Sequence, residues 1–177
     1  MTQLGLVYFS GSGTTKRLTE AVVNACSQAD MALVEVEIIG PDIVEGRWQN
    51  DTLAARLDAC DAIMFGSPTY MGGVAAQLKA FFDAMAPRWY QQSWQGKLGA
   101  GFTVSAKVAG DKLNCLQDMH TFAMQMGMLW LGSGSGVANA HGFYLGEGIA
   151  ASSPDEVDAD ALAAVGALTE RVIQQLK

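Results

Sequence analysis

Tyr8-Phe9-Ser10-Gly11-Ser12-Gly13-Thr14-Thr15-Lys16-Arg17-Leu18 is the stretch that decides the architecture. It follows the apolar run Leu4-Gly5-Leu6-Val7-Tyr8-Phe9, which reads as a buried strand. It precedes Leu18, Ala21, Val22, Ala25 and Ala29, which recur at helical spacing. Glycines and hydroxyls therefore crowd the corner between a strand and a helix. A helix N-terminus carries unpaired backbone N–H groups and the positive end of the macrodipole, so this corner suits a phosphate group. Gly11 and Gly13 let the backbone curl towards a ligand, and Ser10, Ser12, Thr14 and Thr15 can donate to phosphate oxygens. At roughly 1.5–3 kcal/mol per donor to a charged acceptor, four or five such groups could hold a dianion without a lysine.

The spacing excludes two other phosphate loops. No G-x-x-x-x-G-K-[ST] is present, and the residue three past Gly13 is Lys16, so G-x-G-x-x-G is absent too. What remains, S-x-S-G-T-T at the first turn of an α/β unit, resembles the loop with which flavodoxins grip the phosphate of flavin mononucleotide (FMN). On the residues alone, a polar loop with a capping Ser or Thr stays open as the alternative.

Outward from this corner, strands and helices alternate. Strands are expected at about 3–9, 32–39, 61–66, 98–105 and 128–131, with helices at about 14–28, 51–59, 74–85 and 113–126. Residues 41–50 and 87–97 read as loops, and 132–148 as a long Gly-rich segment of little periodicity, a kind of loop that is often functional. Ser153-Pro154-Asp155-Glu156 carries the N-cap, Pro and Glu signals of a last helix, whose buried face is Val157, Ala161, Val165, Leu168 and Val172. Gly99 and Gly101 in the fourth strand suggest closely packed neighbours. Such a chain forms an α/β fold with a parallel sheet covered on both faces. With strand order 2-1-3-4-5, the loops 10–15, 67–73 and 105–111 all leave carboxyl ends beside the switch point, where one ligand could touch all three.

Composition narrows the partners. The 177 residues suffice for one domain spanning 1–177, and the net charge of −7 argues against nucleic acid and anionic membrane surfaces. No apolar run is long enough to cross a bilayer, and Met1-Thr2-Gln3 lacks the basic start of a secretory leader, so a cytoplasmic location without membrane insertion is expected. Cys26, Cys60 and Cys115 are widely spaced and odd in number, which fits reduced thiols and no metal site; His120 falls within a helix and reads as structural.

Pro68 fixes, and Gly72 and Gly73 free, a loop whose backbone N–H groups from Thr69 to Gly73 could face a flat ring. A helix-capping turn is the plainer reading of the same residues. Phe65-Gly66-Ser67-Pro68-Thr69-Tyr70-Met71-Gly72-Gly73-Val74-Ala75-Ala76-Gln77-Leu78-Lys79-Ala80-Phe81-Phe82-Asp83 resembles the G-[ST]-P-T-x-x-G-x-x-x-A-x-x-K-x-F-x-D stretch of NAD(P)H:quinone oxidoreductases related to the tryptophan-repressor-binding protein. The resemblance runs over nearly the whole chain. It implies a flavodoxin-like three-layer sandwich with a five-stranded parallel sheet, non-covalent FMN, NADPH or NADH as electron donor, a quinone-like small-molecule acceptor, and a homodimer or homotetramer. Ser10, Ser12, Gly13, Thr14 and Thr15 would hold the phosphate. Pro68, Thr69, Tyr70, Met71, Gly72 and Gly73 would line the ring, and Ser105, Ala106 and Gly110 would approach it. Trp89 and His141 are the substrate-side candidates, each with a surface or interface role as the alternative. No side chain is assigned as catalytic, because the flavin N5 carries the hydride chemistry. The third loop, Ser105 to Gly110, is poorer in Gly and Thr than is usual for these proteins, and Lys107 stands in it. Two other readings are a flavodoxin-type one-electron carrier, compatible with the acidic charge, and a non-catalytic flavin- or phosphate-binding module.

Overall fold

The computed structural model describes residues 2–134 and 143–177. The sheet is built from β1 (Gln3–Tyr8), β2 (Ala32–Glu37), β5 (Ala62–Tyr70) and β7 (Leu98–Ser105), with a divided edge of β8 (Leu129–Trp130) and β9 (Glu147–Ala150). The spatial order is β2-β1-β5-β7-β8, with β9 beside β7 beyond β8, all parallel. This is the expected 2-1-3-4-5 arrangement, with two short strands sharing the fifth place.

Alternation along each strand sends side chains to opposite layers. Leu4, Leu6, Tyr8, Met64, Phe102 and Val104 pack beneath α1 (Thr14–Gln28) and α6 (Ala159–Gln175). Val7, Ile63 and Phe65 face the other way, towards α2 (Asp51–Asp58), α3 (Ala76–Ala84) and α5 (Lys112–Gln125). Burying each such large apolar side chain contributes roughly 1.5–3 kcal/mol, so the two layers hold the sheet from both sides. On the second face, Gly99 and Gly101 of β7 admit Trp130 and Met119: a Cβ on Gly101 would lie 2.8 Å from the Met119 sulfur. The close packing expected of those glycines is present.

Several boundaries differ from the sequence reading. The 41–50 segment contains a small hairpin, β3 (Ile43–Val44) with β4 (Arg47–Trp48), which buries Trp48 against Phe81. Residues 87–97 are not wholly loop: α4 (Ala86–Gln91) starts with Pro87 in its first turn, where the missing N–H costs nothing. β5 continues through the expected loop to Tyr70, then turns through Met71 and Gly72 to pair with β6 (Gly73–Val74). The Gly-rich segment yields β9, which was not anticipated. Trp130 Nε1 donates to Leu145 O at 2.7 Å and Ser133 N to Tyr144 O at 3.0 Å, tying the end of β8 to the residues just before β9. Ser153 and Pro154 open only a 3-10 turn at Pro154–Glu156; α6 starts after Asp158, whose carboxylate accepts from Ala161 N at 2.8 Å. Glu156 instead reaches back to the backbone and hydroxyl of Ser152.

Candidate active site

The expected phosphate corner is the start of α1. Gly13 is its N-cap, with φ of 90°, a left-handed conformation that favours glycine. Arg17 N bonds to Gly13 O, and Lys16 N donates to Ser10 Oγ at 3.0 Å. Those bonds leave the amides of Thr14 and Thr15 without a partner among the described residues. Ser12 Oγ and Thr14 Oγ1 lie 3.0 Å apart, and the Ser10 hydroxyl, having accepted from Lys16 N, keeps its own proton to donate. Lys16 does not contribute its charge here: its ammonium pairs with Glu37 at 2.6 Å, so the amides and hydroxyls carry the anion-binding capacity. Beneath the corner, Tyr8 is buried with its hydroxyl 2.9 Å from Glu35 and 3.2 Å from Glu37, and burial with both carboxylates drives its pKa upward.

The corner opens into a cleft of about 250 Å³ across the carboxyl ends of β1, β5, β7 and β9. Ser12 and Thr14 form one end; Pro68, Thr69 and Tyr70 form the wall from β5. Val104, Ser105 and Ala106 form the wall from β7, and Ala151 and Ser152 close it beyond β9. A larger groove, about 410 Å³, runs between α3 and α5, but its lysine and carboxylates are already engaged: Lys79 with Asp83, and Asp118 with the Val74 amide. Its remaining polar lining is Thr121 and Gln125, and it lies apart from the amides at the head of α1, so the smaller cleft is the functional candidate.

The residues expected at the ring divide into lining and shaping groups. Pro68, Thr69, Tyr70, Ser105 and Ala106 line the cleft. Met71 and Gly72, at φ of 48° and 83°, form the tight turn that returns the chain from β5 to β6, a primed hairpin geometry. The Met71 side chain is fully exposed. Gly73 must be small because a Cβ there would meet the Asp118 carboxylate at 2.8 Å. A Cβ on Gly11 would run into the Tyr70 hydroxyl, so the first and second loops touch. Gly110, at φ of 51°, lies against the Ser105 hydroxyl and shapes the third loop without lining the cleft.

Thr69 is held from behind. Its hydroxyl is 2.7 Å from that of Thr103, which also donates to Ser67 O at 2.8 Å and lies 3.2 Å from the Cys115 sulfur. Thr103 has one proton, and a carbonyl is a better acceptor than a thiol, so Thr69 is the donor of the pair and turns a lone pair towards the cleft. Burial pushes the Cys115 thiol up to about 11, so it stays neutral and inert.

Trp89 is not brought to the cleft of its own chain. It lies half-exposed on α4, in the connection that enters β7 from its amino end, opposite the cleft. There Arg88 grips Asp58 with two bonds, at 2.7 and 2.9 Å, and Trp94 Nε1 joins them at 2.8 Å. His141 lies outside the described residues. Sequence reasoning missed Ala151 and Ser152, for which the signal was the alternation of Ile149 and Ala151 before paired serines. It also missed the braces Thr103, Asn114 and Asp118, which lie far along the chain from the loops they touch, and Lys112, which holds the loop just before it from a buried position.

A family model described as NADPH-dependent FMN reductase matches residues 5–142. The chain belongs to this family. It is similar, at 39% identity over 92% of its length and 87% of the relative's, to the flavodoxin FldP of Pseudomonas aeruginosa. It is similar, at 32% identity over 75% of its length and 71% of the relative's, to an NAD(P)H dehydrogenase (quinone) of Chromohalobacter salexigens. A crystal structure of a WrbA-like flavodoxin from Agrobacterium tumefaciens superposes with a TM-score of 0.78 at 36% identity, covering 99% of this chain and 97% of that one. As a member of the FMN reductase family, the chain is an FMN-dependent oxidoreductase that draws electrons from NAD(P)H. The unpartnered amides at the head of α1 and the cleft leading from them fit that cofactor.

Proposed function

We propose that the cleft over β1, β5, β7 and β9 is where FMN sits, and that the enzyme uses it to reduce a quinone-like acceptor with NAD(P)H. The carrying observation is the pair of unpartnered amides on Thr14 and Thr15, opening into the same cleft as Pro68–Tyr70 and Ser105–Ala106. Ser10, Ser12, Gly13, Thr14 and Thr15 would hold the phosphate; the β5 and β7 walls would orient the ring, with Met71, Gly72, Gly73 and Gly110 setting their shape. When bound, FMN supplies the redox chemistry, accepting electrons as a hydride and passing them on. The protein's part is to place donors, exclude water and leave one ring face accessible to two substrates in turn. The quinone dehydrogenase relative supports the acceptor class. Assembly as a homodimer or homotetramer would let Trp89 of one copy approach the cleft of another, which a single chain does not permit. Among the described residues no helix is long and apolar enough to cross a membrane, which suits a cytoplasmic enzyme.

The test is anaerobic reduction of FMN-loaded protein by NADPH and by NADH. Rapid two-electron bleaching, reversed by benzoquinone, is expected. Protein that cannot be loaded with FMN would overturn the reading. A one-electron carrier is the second reading, favoured by the similarity to FldP and the net charge of −7. Slow reduction by both nicotinamides, with electrons accepted one at a time from a protein reductant, would select it.

A further inference from the structure

Lys112, the first residue of α5, is completely buried. Its ammonium donates to Lys107 O, to Val108 O at 2.8 Å and, at a longer 3.5 Å, to Ala109 O. No carboxylate pairs with it among the described residues, and the Phe143 ring centre is 6.0 Å away. Three carbonyl acceptors use all three ammonium protons, which is how a charge without a counter-ion is tolerated in the interior. Gly110 and Asp111 both take left-handed backbone, with φ of 51° and 55°, so the loop needs something to hold it. The same Lys107 carbonyl accepts from Ser105 Oγ at 3.1 Å. A chain of contacts thus runs from the cleft wall at Ser105, through one carbonyl, to the buried ammonium. The trans peptide geometry adds a consequence: carbonyls turned inward at 107–109 turn the next N–H groups, on Val108, Ala109 and Gly110, outward. None of those three amides has a partner among the described residues.

We propose that Lys112 is the positioning residue of the ring side of the cleft: by gathering the 107–109 carbonyls it fixes Ser105 and Ala106 against the flavin, and it sets an uncompensated positive charge behind that wall. This rests on the cleft being the FMN site. A buried charge is screened little by solvent. It therefore favours the form of the ring that carries more negative charge, the reduced one. Lys112 touches neither flavin nor substrate; it acts through the loop and through its field.

The experiment titrates apoprotein with FMN, with riboflavin, which lacks the phosphate, and with dithionite-reduced FMN. Lys112→Met is expected to weaken FMN and riboflavin alike, by tenfold or more. Reduced FMN should weaken by a further tenfold, which is a fall of about 30 mV in the two-electron potential. Lys112→Arg keeps the charge and should restore the preference for the reduced form. Ser12→Ala should weaken FMN and leave riboflavin unchanged. If Lys112→Met is not folded by circular dichroism, Lys112→Gln, which donates without charge, takes its place; loss of the reduced-form preference supports the proposal. A folded Met or Gln variant with wild-type affinities and a wild-type ratio of reduced to oxidised binding overturns it alone. Wild-type apoprotein that takes up neither flavin overturns the cleft assignment and this inference together.

Discussion

The two ends of the cleft are built by opposite means. At the phosphate end, residues 10–15 are contiguous, and their donors are backbone amides and short hydroxyls positioned by the strand-to-helix turn itself. At the ring end, no loop stands alone. Asn114 Nδ2 donates to Gly72 O at 2.7 Å, the Asp118 carboxylate accepts from Val74 N at 3.1 Å, and the buried Lys112 collects the carbonyls of the third loop. One helix, α5, thus braces both ring walls across sequence separations of up to 44 residues. The phosphate end follows from local geometry, whereas the ring end exists only once the sheet and α5 have docked. The phosphate end should therefore respond to single backbone changes, and the ring end to the loss of distant side chains.

The largest effect is expected at Gly13. A branched side chain there must adopt a φ of 90°, and its Cβ would sit 3.2 Å from Pro154 Cγ. Displacing the N-cap also misaims the Thr14 and Thr15 amides. Losing even two donors to a charged oxygen corresponds to roughly 3 kcal/mol or more. Gly13→Val should therefore raise the FMN dissociation constant at least ~100-fold, with riboflavin nearly unaffected. Equal loss of both ligands in a fluorescence titration would show that the two ends are not separable.

This contrast also explains what the sequence made legible. Ser10 to Thr15 could be read because strand, turn, helix cap and anion site are one local device. Alternating strands and helices indicated a parallel sheet with right-handed crossovers, and the order 2-1-3-4-5 came with the resemblance to flavodoxins. β9 stayed hidden because Glu147, Gly148 and Ile149 follow a Gly-rich stretch and carry too few apolar positions to show a period. The extension of β5 to Tyr70 was masked by Pro68, which looks like loop; its pairing with Val104 is a property of the sheet. Ser153-Pro154-Glu156 carried every local helix signal, yet Asp158 won the cap, because Glu156 was taken by Ser152. Lys112 reads as an ordinary polar helix residue until the fold buries it.

Glu147 offers a second way to sharpen the comparison, because β9 leads directly into the cleft residues Ala151 and Ser152. Its carboxyl is buried, and Oε2 has no partner among the described residues. Burial pushes its pKa up to about 7, and the nearby Ser133 hydroxyl, which makes no well-formed bond to it, offsets little of this. The folded protein thus holds this proton where the unfolded chain, with an ordinary carboxyl near 4.5, has released it. The sign follows: the stabilisation is complete below that value and is lost as pH rises to about 7. The loss is roughly 3 kcal/mol. Glu147→Gln should remove this slope in urea unfolding measured across the pH range, and should stabilise the protein above neutrality. If β9 supports the cleft, wild-type flavin affinity falls over the same interval and the variant's does not. An unchanged slope in Glu147→Gln would place the titration elsewhere.

Asn114→Ala should have the smallest effect and tests the ring end most directly. The bond to Gly72 O is exposed, so water replaces the lost donor and the net cost is about 0.5–1.5 kcal/mol, or roughly two- to twelvefold in affinity. The turn it holds keeps its β5–β6 pairing and the Asp118 bond, which limits the disorder to Met71 and Gly72. Those residues shape the ring wall without lining it, so FMN and riboflavin should weaken by the same factor and their ratio should stay at the wild-type value. Gly13→Val changes that ratio; Asn114→Ala should not. If Asn114→Ala instead reduces FMN binding while sparing riboflavin, the turn communicates with the phosphate corner. The contact of Tyr70 with Gly11 is then the route, and the cleft behaves as one cooperative unit.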